Sequence, residues 1–229
     1  MSLYFRAILV PFFFLFLLTG SPARAATITL DVEGPDGTLF KRDVSVTACP
    51  QSHTSETLRE TGYCALEQAG VAPVWTWYGD DAFLDSLGGV GNDPAQGKYW
   101  AWFSNLSYGQ TALNAHDLTE GETLLLTIGK NPLSLHASSL TPPVGASTTV
   151  TVLQFGLDAS WNPVWLPAEG ATVSIGPYQK VTGSEGTVSF EATTTEAQDI
   201  YATKEGYLSS PHISLTPVAR EEAPAPLAG

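Results

Sequence analysis

Basic residues are scarce: 10 Lys and Arg stand against 23 Asp and Glu in 229 residues, a formal net charge of -13. Clustered cations, which a phosphate backbone requires, are missing, so nucleic acid is not expected as a partner. The acids are scattered singly or in pairs, such as Asp80–Asp81 and Glu221–Glu222, the pattern of a solvated surface. Histidine is equally thin. His53, His116, His136 and His212 lie far apart, and no G-x-S-x-G, H-E-x-x-H or phosphate-cradling glycine motif occurs. No catalytic constellation is present, and an enzyme is not expected.

Long apolar runs are limited to one, Ala7 to Thr19, which follows Arg6, contains Pro11 and precedes "GSPARA". It is too short and wrongly flanked for a membrane span, and Ala23-Arg24-Ala25 fits small-residue cleavage. Residues 1–25 are read as a signal peptide, giving a secreted or periplasmic protein able to associate with the cell surface, with no membrane insertion after cleavage. Losing Arg6 and Arg24, and no acid, takes the mature chain from -13 to -15.

Only two cysteines occur, Cys49 and Cys64. They are too few for zinc without nearby histidine pairs, and export makes a disulfide the expectation. Asp80, Asp81, Asp85, Asn92 and Asp93 offer hard oxygen ligands, but their spacing fits no EF-hand loop, and no metal site is expected.

Alternation supplies the positive signal. "ATITLDVE" and "TLFKRDVSV", joined by "GPDG", predict a β-hairpin. "SHTSETLRETGYCALEQAGV" sets Leu58, Gly62, Ala65, Leu66 and Ala69 at helical spacing, with Ser55 or Thr54 to cap and Gly70 at the C-cap, predicting a helix of three to four turns. "PVWTWYG" and "KYWAWFS" predict short strands around a glycine-rich irregular loop, and "LTEGETLLLTIG" a final strand. Hairpin, helix, then three strands is the order of a β-grasp domain, placed at 26–130.

"KNPLSLHASSLTPPVGAS" is proline-rich and predicts a linker over 131–146. Short strands marked by Val150, Val152, Val173, Ile175, Val188, Phe190, Tyr201, Ile213 and Leu215, punctuated by glycines, then predict a small antiparallel β-sandwich over 147–218. Residues 219–229, "AREEAPAPLAG", have no core-forming residue and are expected to be disordered. The fold class is α+β, mainly β.

The aromatics carry the functional signal. Trp75 and Trp77 in one strand and Trp100 and Trp102 in another would sit side by side if those strands were neighbours. They either form the core beneath the helix or face outward while Tyr99 and Phe103 fill the core, and an exposed aromatic patch marks binding. Which face lies under the helix decides between a binding surface and a structural one.

"TITLDVEGPDGTLFKRDVSV", "ETGYCALEQAGV" and "GKYWAWFSNLSYGQTALNAHDLTEGETLLLTIG" together resemble the transcobalamin-like C-terminal domain family over about residues 27–129. Trp100 and Asn105 match that family's W-x-x-x-x-N segment, and Leu118 with Gly121 its last motif, where Glu122 stands in place of Asp. The resemblance implies an exported β-grasp scaffold binding a corrinoid (cobalamin-like) ligand, although the helical partner domain of the vertebrate carriers has no counterpart here. "GATVSIG", "GSEGTVSF" and "YATKEGYLSS" are similar in rhythm to immunoglobulin-like or carboxypeptidase-regulatory-like modules.

The expected binding residues are Trp75, Trp77, Trp100, Trp102, Asn105, Tyr108 and His116, with His116 able in principle to reach a metal centre. No cofactor is required. The alternative is a structural or adhesive cell-envelope module whose partner is another protein.

Overall fold

The computed structural model describes residues 25–52 and 56–220. The expected leader, Ala25 excepted, the tail from 221 onward and the expected caps Thr54 and Ser55 lie outside the described residues. Strands dominate the rest, with one α-helix among the described residues, so the chain is mainly β. No helix among them is long and apolar enough to cross a membrane.

In chain order the first half contains β1 (Ala26–Glu33), β2 (Thr38–Val46), β3 (Cys49–Pro50), β4 (Leu58–Arg59), α1 (Gly62–Ala69), β5 (Val74–Tyr78), β6 (Asp81–Leu87), β7 (Val90–Gly91), β8 (Ala101–Ser104), β9 (Ser107–Tyr108) and β10 (Thr123–Thr127). One sheet runs β2-β1-β10-β8-β9, with β1 parallel to β10 and the other pairs antiparallel. Ile28, Leu30 and Val32 alternate onto one face, where Leu124 and Leu126 join them, and Cys64, Ala65, Leu66 and Ala69 of α1 cover that face. The small helix residues let α1 lie close to the sheet. A Cβ at Gly62 would meet the Leu124 side chain of β10 at 3.5 Å and the Leu113 side chain, from the turn before β10, at 2.6 Å.

The helix is shorter than its sequence pattern. It spans eight residues because Leu58 and Arg59 are extended, paired with Pro50 and Cys49, and Arg59 reaches out to Asp117 at 2.7 Å. Thr61 is the N-cap, its hydroxyl accepting the Cys64 N–H, and Gly70 closes the helix at φ 71°, the left-handed conformation a C-cap favours.

Cys49 and Cys64 form the expected disulfide, which ties α1 to the segment after β2. It closes a loop of 15 residues, which in the chain-entropy picture contributes about 3 kcal/mol. The double variant C49A/C64A should lose about that much in urea denaturation, and dithiothreitol should reproduce the loss in the native protein. No change with reductant would leave the bridge without a stabilising role.

The stretch between the two tryptophan-bearing segments differs from expectation. β5 does form, but it turns back through Gly79 (φ 67°) into β6, and β5-β6-β7 make a separate three-stranded sheet. "DAFLDSL" alternates, sending Ala82 and Leu84 into the core, so what looked irregular is half strand. Trp75 and Trp77 therefore do not stand beside Trp100 and Trp102 in one sheet.

The second half contains β11 (Asn131–Ala137), β12 (Ser147–Leu157), β13 (Pro163–Pro167), β14 (Thr172–Ile175), β15 (Tyr178–Val181), β16 (Thr187–Glu191), β17 (Gln198–Thr203), β18 (Tyr207–Leu208) and β19 (Ile213–Leu215). Residues 131–137, read from composition as linker, are thus a strand: β11 pairs antiparallel with β12 and parallel with β18, burying Leu133 and Leu135. One sheet runs β13-β12-β11-β18 with β16 also on β12, a second runs β15-β14-β17-β19, and Val150, Val152, Val173, Ile200, Ala202 and Leu215 share one core with Leu133.

The two halves meet on an aromatic clamp. Phe103 and Leu125 emerge on the face of the first sheet opposite α1, and Phe155 of β12 packs edge-on against Phe103 at 4.9 Å and stacks on Tyr108 at 5.1 Å. Trp165 adds a further edge contact to Phe155 at 5.6 Å. Both faces of the first sheet are therefore covered, one by the helix and one in part by the second half.

Candidate functional site

The register of β8 against β10 settles the faces. Trp102 lies opposite Leu126, on the helix side, whereas Phe103 lies opposite Leu125, on the clamp side. Of the two arrangements left open, the one with Phe103 beneath the helix and the tryptophans facing away does not hold: Trp100 and Trp102 are half-buried at the edge of the helix-side core. Each is anchored, Trp100 Nε1 donating to Val90 O at 3.0 Å and Trp102 Nε1 to Thr111 O at 3.0 Å. The Trp102 ring also packs on His116 at 4.7 Å and directly against the backbone of Gly109.

At this sheet edge Trp100, Trp102 and Tyr108 line one wall of a cleft of about 530 Å³. Tyr78 and Phe83, from the β5-β6 hairpin, supply another. Trp161 and Pro163, from the β12-β13 connection, supply a third, so the cleft is shared between both halves of the chain.

Trp161 is the most unusual member. It is 81% exposed, and its backbone sits in the left-handed region at φ 64°, which for a bulky side chain costs about 1–2 kcal/mol. The Asp158 carboxylate holds the loop there, accepting the N–H of Ser160 and of Asn162 at 2.8 and 2.9 Å and the Asn162 amide at 3.0 Å. Hydrogen bonds from Asn162 and Ser160 hold that carboxyl below its ordinary range. A large apolar ring is thus displayed to solvent by a fixed turn.

The other expected residues lie elsewhere. Trp75 and Trp77 pack on Tyr63 of α1 at 5.0 and 5.6 Å, and Trp75 Nε1 donates to Glu67 at 2.7 Å, so this pair belongs to the outer flank of the helix. Asn105 occupies the β8-β9 turn at φ 47°, its Oδ1 accepting the Thr123 N–H, and borders a different cleft. His116 stands against Trp102 and is not among the cleft walls. Its Nε2 lies 2.7 Å from Glu122 Oε1, which occupies one of the two ring nitrogens.

Glu122 is buried to 1% side-chain exposure. Burial alone would push its carboxyl up, but hydrogen bonds from His116, Ser104 and the Thr119 N–H, with the His116 charge, outweigh it and hold the group below its ordinary range. Asn114, also buried, donates to Gln51 O and Asp80 O and accepts the Ala82 N–H, locking the β5-β6 hairpin to the residues around α1. These groups serve the frame of the cleft.

Tyr78, Phe83 and Trp161 complete the cleft and escaped the sequence reading. "DASWNP" was the available signal for Trp161: an Asp four residues before Asn162, between two strands, marks a tight turn with an aromatic at its tip.

No family model matches the chain, and no curated protein matches it. Among solved structures, a Ruminococcus gnavus ATCC 29149 protein provisionally described as metal binding aligns over 45% of this chain and 95% of its own, at 14% identity and a TM-score of 0.35. A likeness of that size carries no argument about ligand or fold.

Proposed function

We infer that this is an exported, non-catalytic binding protein whose aromatic cleft takes a flat ligand of mixed polarity, a corrinoid being the class that the transcobalamin-like resemblance implies. The observation that carries this reading is the convergence of Trp100, Trp102, Tyr108, Tyr78, Phe83 and Trp161 on one cleft, with Trp161 presented by a strained turn. A five-stranded sheet bearing one helix supports reading residues 26–130 as a β-grasp module, and two sheets around one core support an immunoglobulin-like sandwich over 147–218. Stacking against ring faces and edges does the binding. His116 plays no axial role through Nε2, because Glu122 engages that atom. Among the described residues the cleft walls hold Tyr78, Asp81 and Tyr108 as their titratable side chains.

Calorimetric titration of the mature protein with cobalamin and cobinamide tests the reading. Trp161→Ala should weaken binding about tenfold, the worth of one good aromatic contact, without moving the thermal midpoint, since the side chain is 81% exposed. No heat with either corrinoid at high micromolar concentration would sink it. The exposure of Trp161 at 81% and Tyr78 at 67% also suits a docking patch for an envelope protein, the adhesive alternative. That alternative gains if corrinoids are silent.

A further inference from the structure

The aromatic cleft has a single charged side chain on its walls, Asp81, and among the described residues no Lys, Arg or His lines it. Alternation along β6 sends Ala82 and Leu84 inward and leaves Asp81 and Phe83 together on the outer, exposed face. Tyr78 lies directly across the β5-β6 pair from Asp81, so its ring shares that face. The carboxylate is therefore flanked by two rings. It forms no ion pair among the described residues, whose lysine, arginine and histidine pairings go to Asp31, Asp117, Glu122 and Asp199.

Ring faces carry negative potential, and here an uncancelled carboxylate stands among them, so both kinds of wall attract positive charge. The field of the whole chain, with a formal net charge of -13, has the same sign. Resting on the reading of this cleft as the binding site, though not on the corrinoid class, we propose that its ligand is an organic cation whose charged nitrogen bears no N–H, a quaternary ammonium or N-alkylpyridinium, seated against Tyr78, Phe83 and Trp161 beside Asp81.

Ring placement and polarity select that chemistry. The rings of Tyr78 and Phe83 meet at 78° with their centroids 6.1 Å apart, so they form a corner and not the flat platform on which a neutral sugar would lie. Trp161 enters from the other half of the chain, and rings that face a ligand from several sides suit a cation, which is attracted to each face it meets. A primary ammonium or a guanidinium carries N–H donors that each want an acceptor, and walls built mainly of rings supply few. A quaternary or pyridinium nitrogen has no such donor to satisfy, and the carbon atoms around it bury favourably on the rings. An anion would meet Asp81 with no lysine or arginine on the walls to offset it.

Calorimetry on the mature, disulfide-intact protein with two pairs of carbon isosteres decides it: 1-methylnicotinamide against 3-methylbenzamide, and choline against 3,3-dimethylbutanol. Within each pair only the charge differs, and the cation should bind about tenfold more tightly, the worth of a good cation–ring contact in a half-open site. The tighter of the two cations identifies the source, a flat pyridinium or a compact quaternary ammonium. Asp81→Asn should weaken binding of the cations about fivefold, and Trp161→Leu, which keeps an apolar side chain but removes the ring, by about the same, each with an unchanged circular dichroism spectrum. Cobalamin titrated alongside keeps this inference apart from the cleft reading. Cobalamin heat together with equal binding of cations and isosteres would leave the cleft a binding site and overturn the charge selection. Tighter binding of the cations with cobalamin silent would uphold the selection and remove the corrinoid class. Silence of every ligand to millimolar concentration would overturn both, and folded Asp81→Asn and Trp161→Leu binding the cations as the native protein does would overturn the placement beside Asp81.

Discussion

Gly109→Ala should destabilise the protein by about 4 kcal/mol and lower its thermal midpoint by roughly 10 °C, an effect at the upper end for overpacking. A Cβ built there lies 1.9, 2.1 and 2.3 Å from Trp102 Cε2, Cδ2 and Cζ2, far inside any real contact. Neither partner can yield easily. The Gly109 N–H is fixed to Trp102 O at 2.8 Å, the indole Nε1 is held by Thr111 O, and the ring packs on His116. The methyl must therefore pull the segment after β9 away from β8 or drive the indole out of its place in the cleft wall. Trp102→Leu, with a smaller side chain, should relieve the clash. In a double-mutant cycle followed by urea denaturation, G109A/W102L should then be more stable than the sum of the single losses by over 1 kcal/mol. Additive losses would show that the contact with the indole is not the cause.

This packing explains why the aromatic cluster was only half legible in the sequence. Alternation in "KYWAWFS" correctly splits Trp100 and Trp102 from Phe103, because a strand's period of two is local. Which face becomes core is not local. It depends on α1 lying over Leu124 and Leu126 and on Phe155 arriving from 52 residues after Phe103 to cover the other side. "PVWTWYG" shows the same limit. Its alternation predicts a strand, but its partner is chosen by the tight turn at Gly79 and by Asn114, which grips Ala82 from the far side of the aromatic stretch. The disulfide and the Gly70 cap were legible because two cysteines leave one pairing and a left-handed cap has a residue preference. Asp31 was not: on a strand read as half-buried its face looks solvated, and only the second half of the chain, folded over that face, makes it a buried carboxylate.

Glu122→Gln should be comparably damaging, about 4 kcal/mol at neutral pH, because it breaks a buried charged network and leaves donors facing an amide. One carboxylate now satisfies His116 Nε2–H through Oε1 and the Thr119 N–H and hydroxyl through Oε2, at 2.7, 3.0 and 3.2 Å. Gln supplies one acceptor and turns its NH₂ toward donors that need the other. Glu122→Asp keeps the charge but draws it back by a methylene, so it should recover part of the loss and no more. The pH dependence separates charge from shape. Since the folded carboxyl is held below its ordinary range, its contribution is fully present above that range and fades as pH falls through the folded value. Native protein should therefore lose stability on acidification while Glu122→Gln, with nothing to protonate at that position, loses less. The gap of about 4 kcal/mol at pH 7 should narrow steadily in urea denaturation carried down to about pH 3. A gap that stays constant over that range would mean the cost of Gln is steric, and that the carboxylate's charge does not hold His116, and through it Trp102, in position behind the cleft.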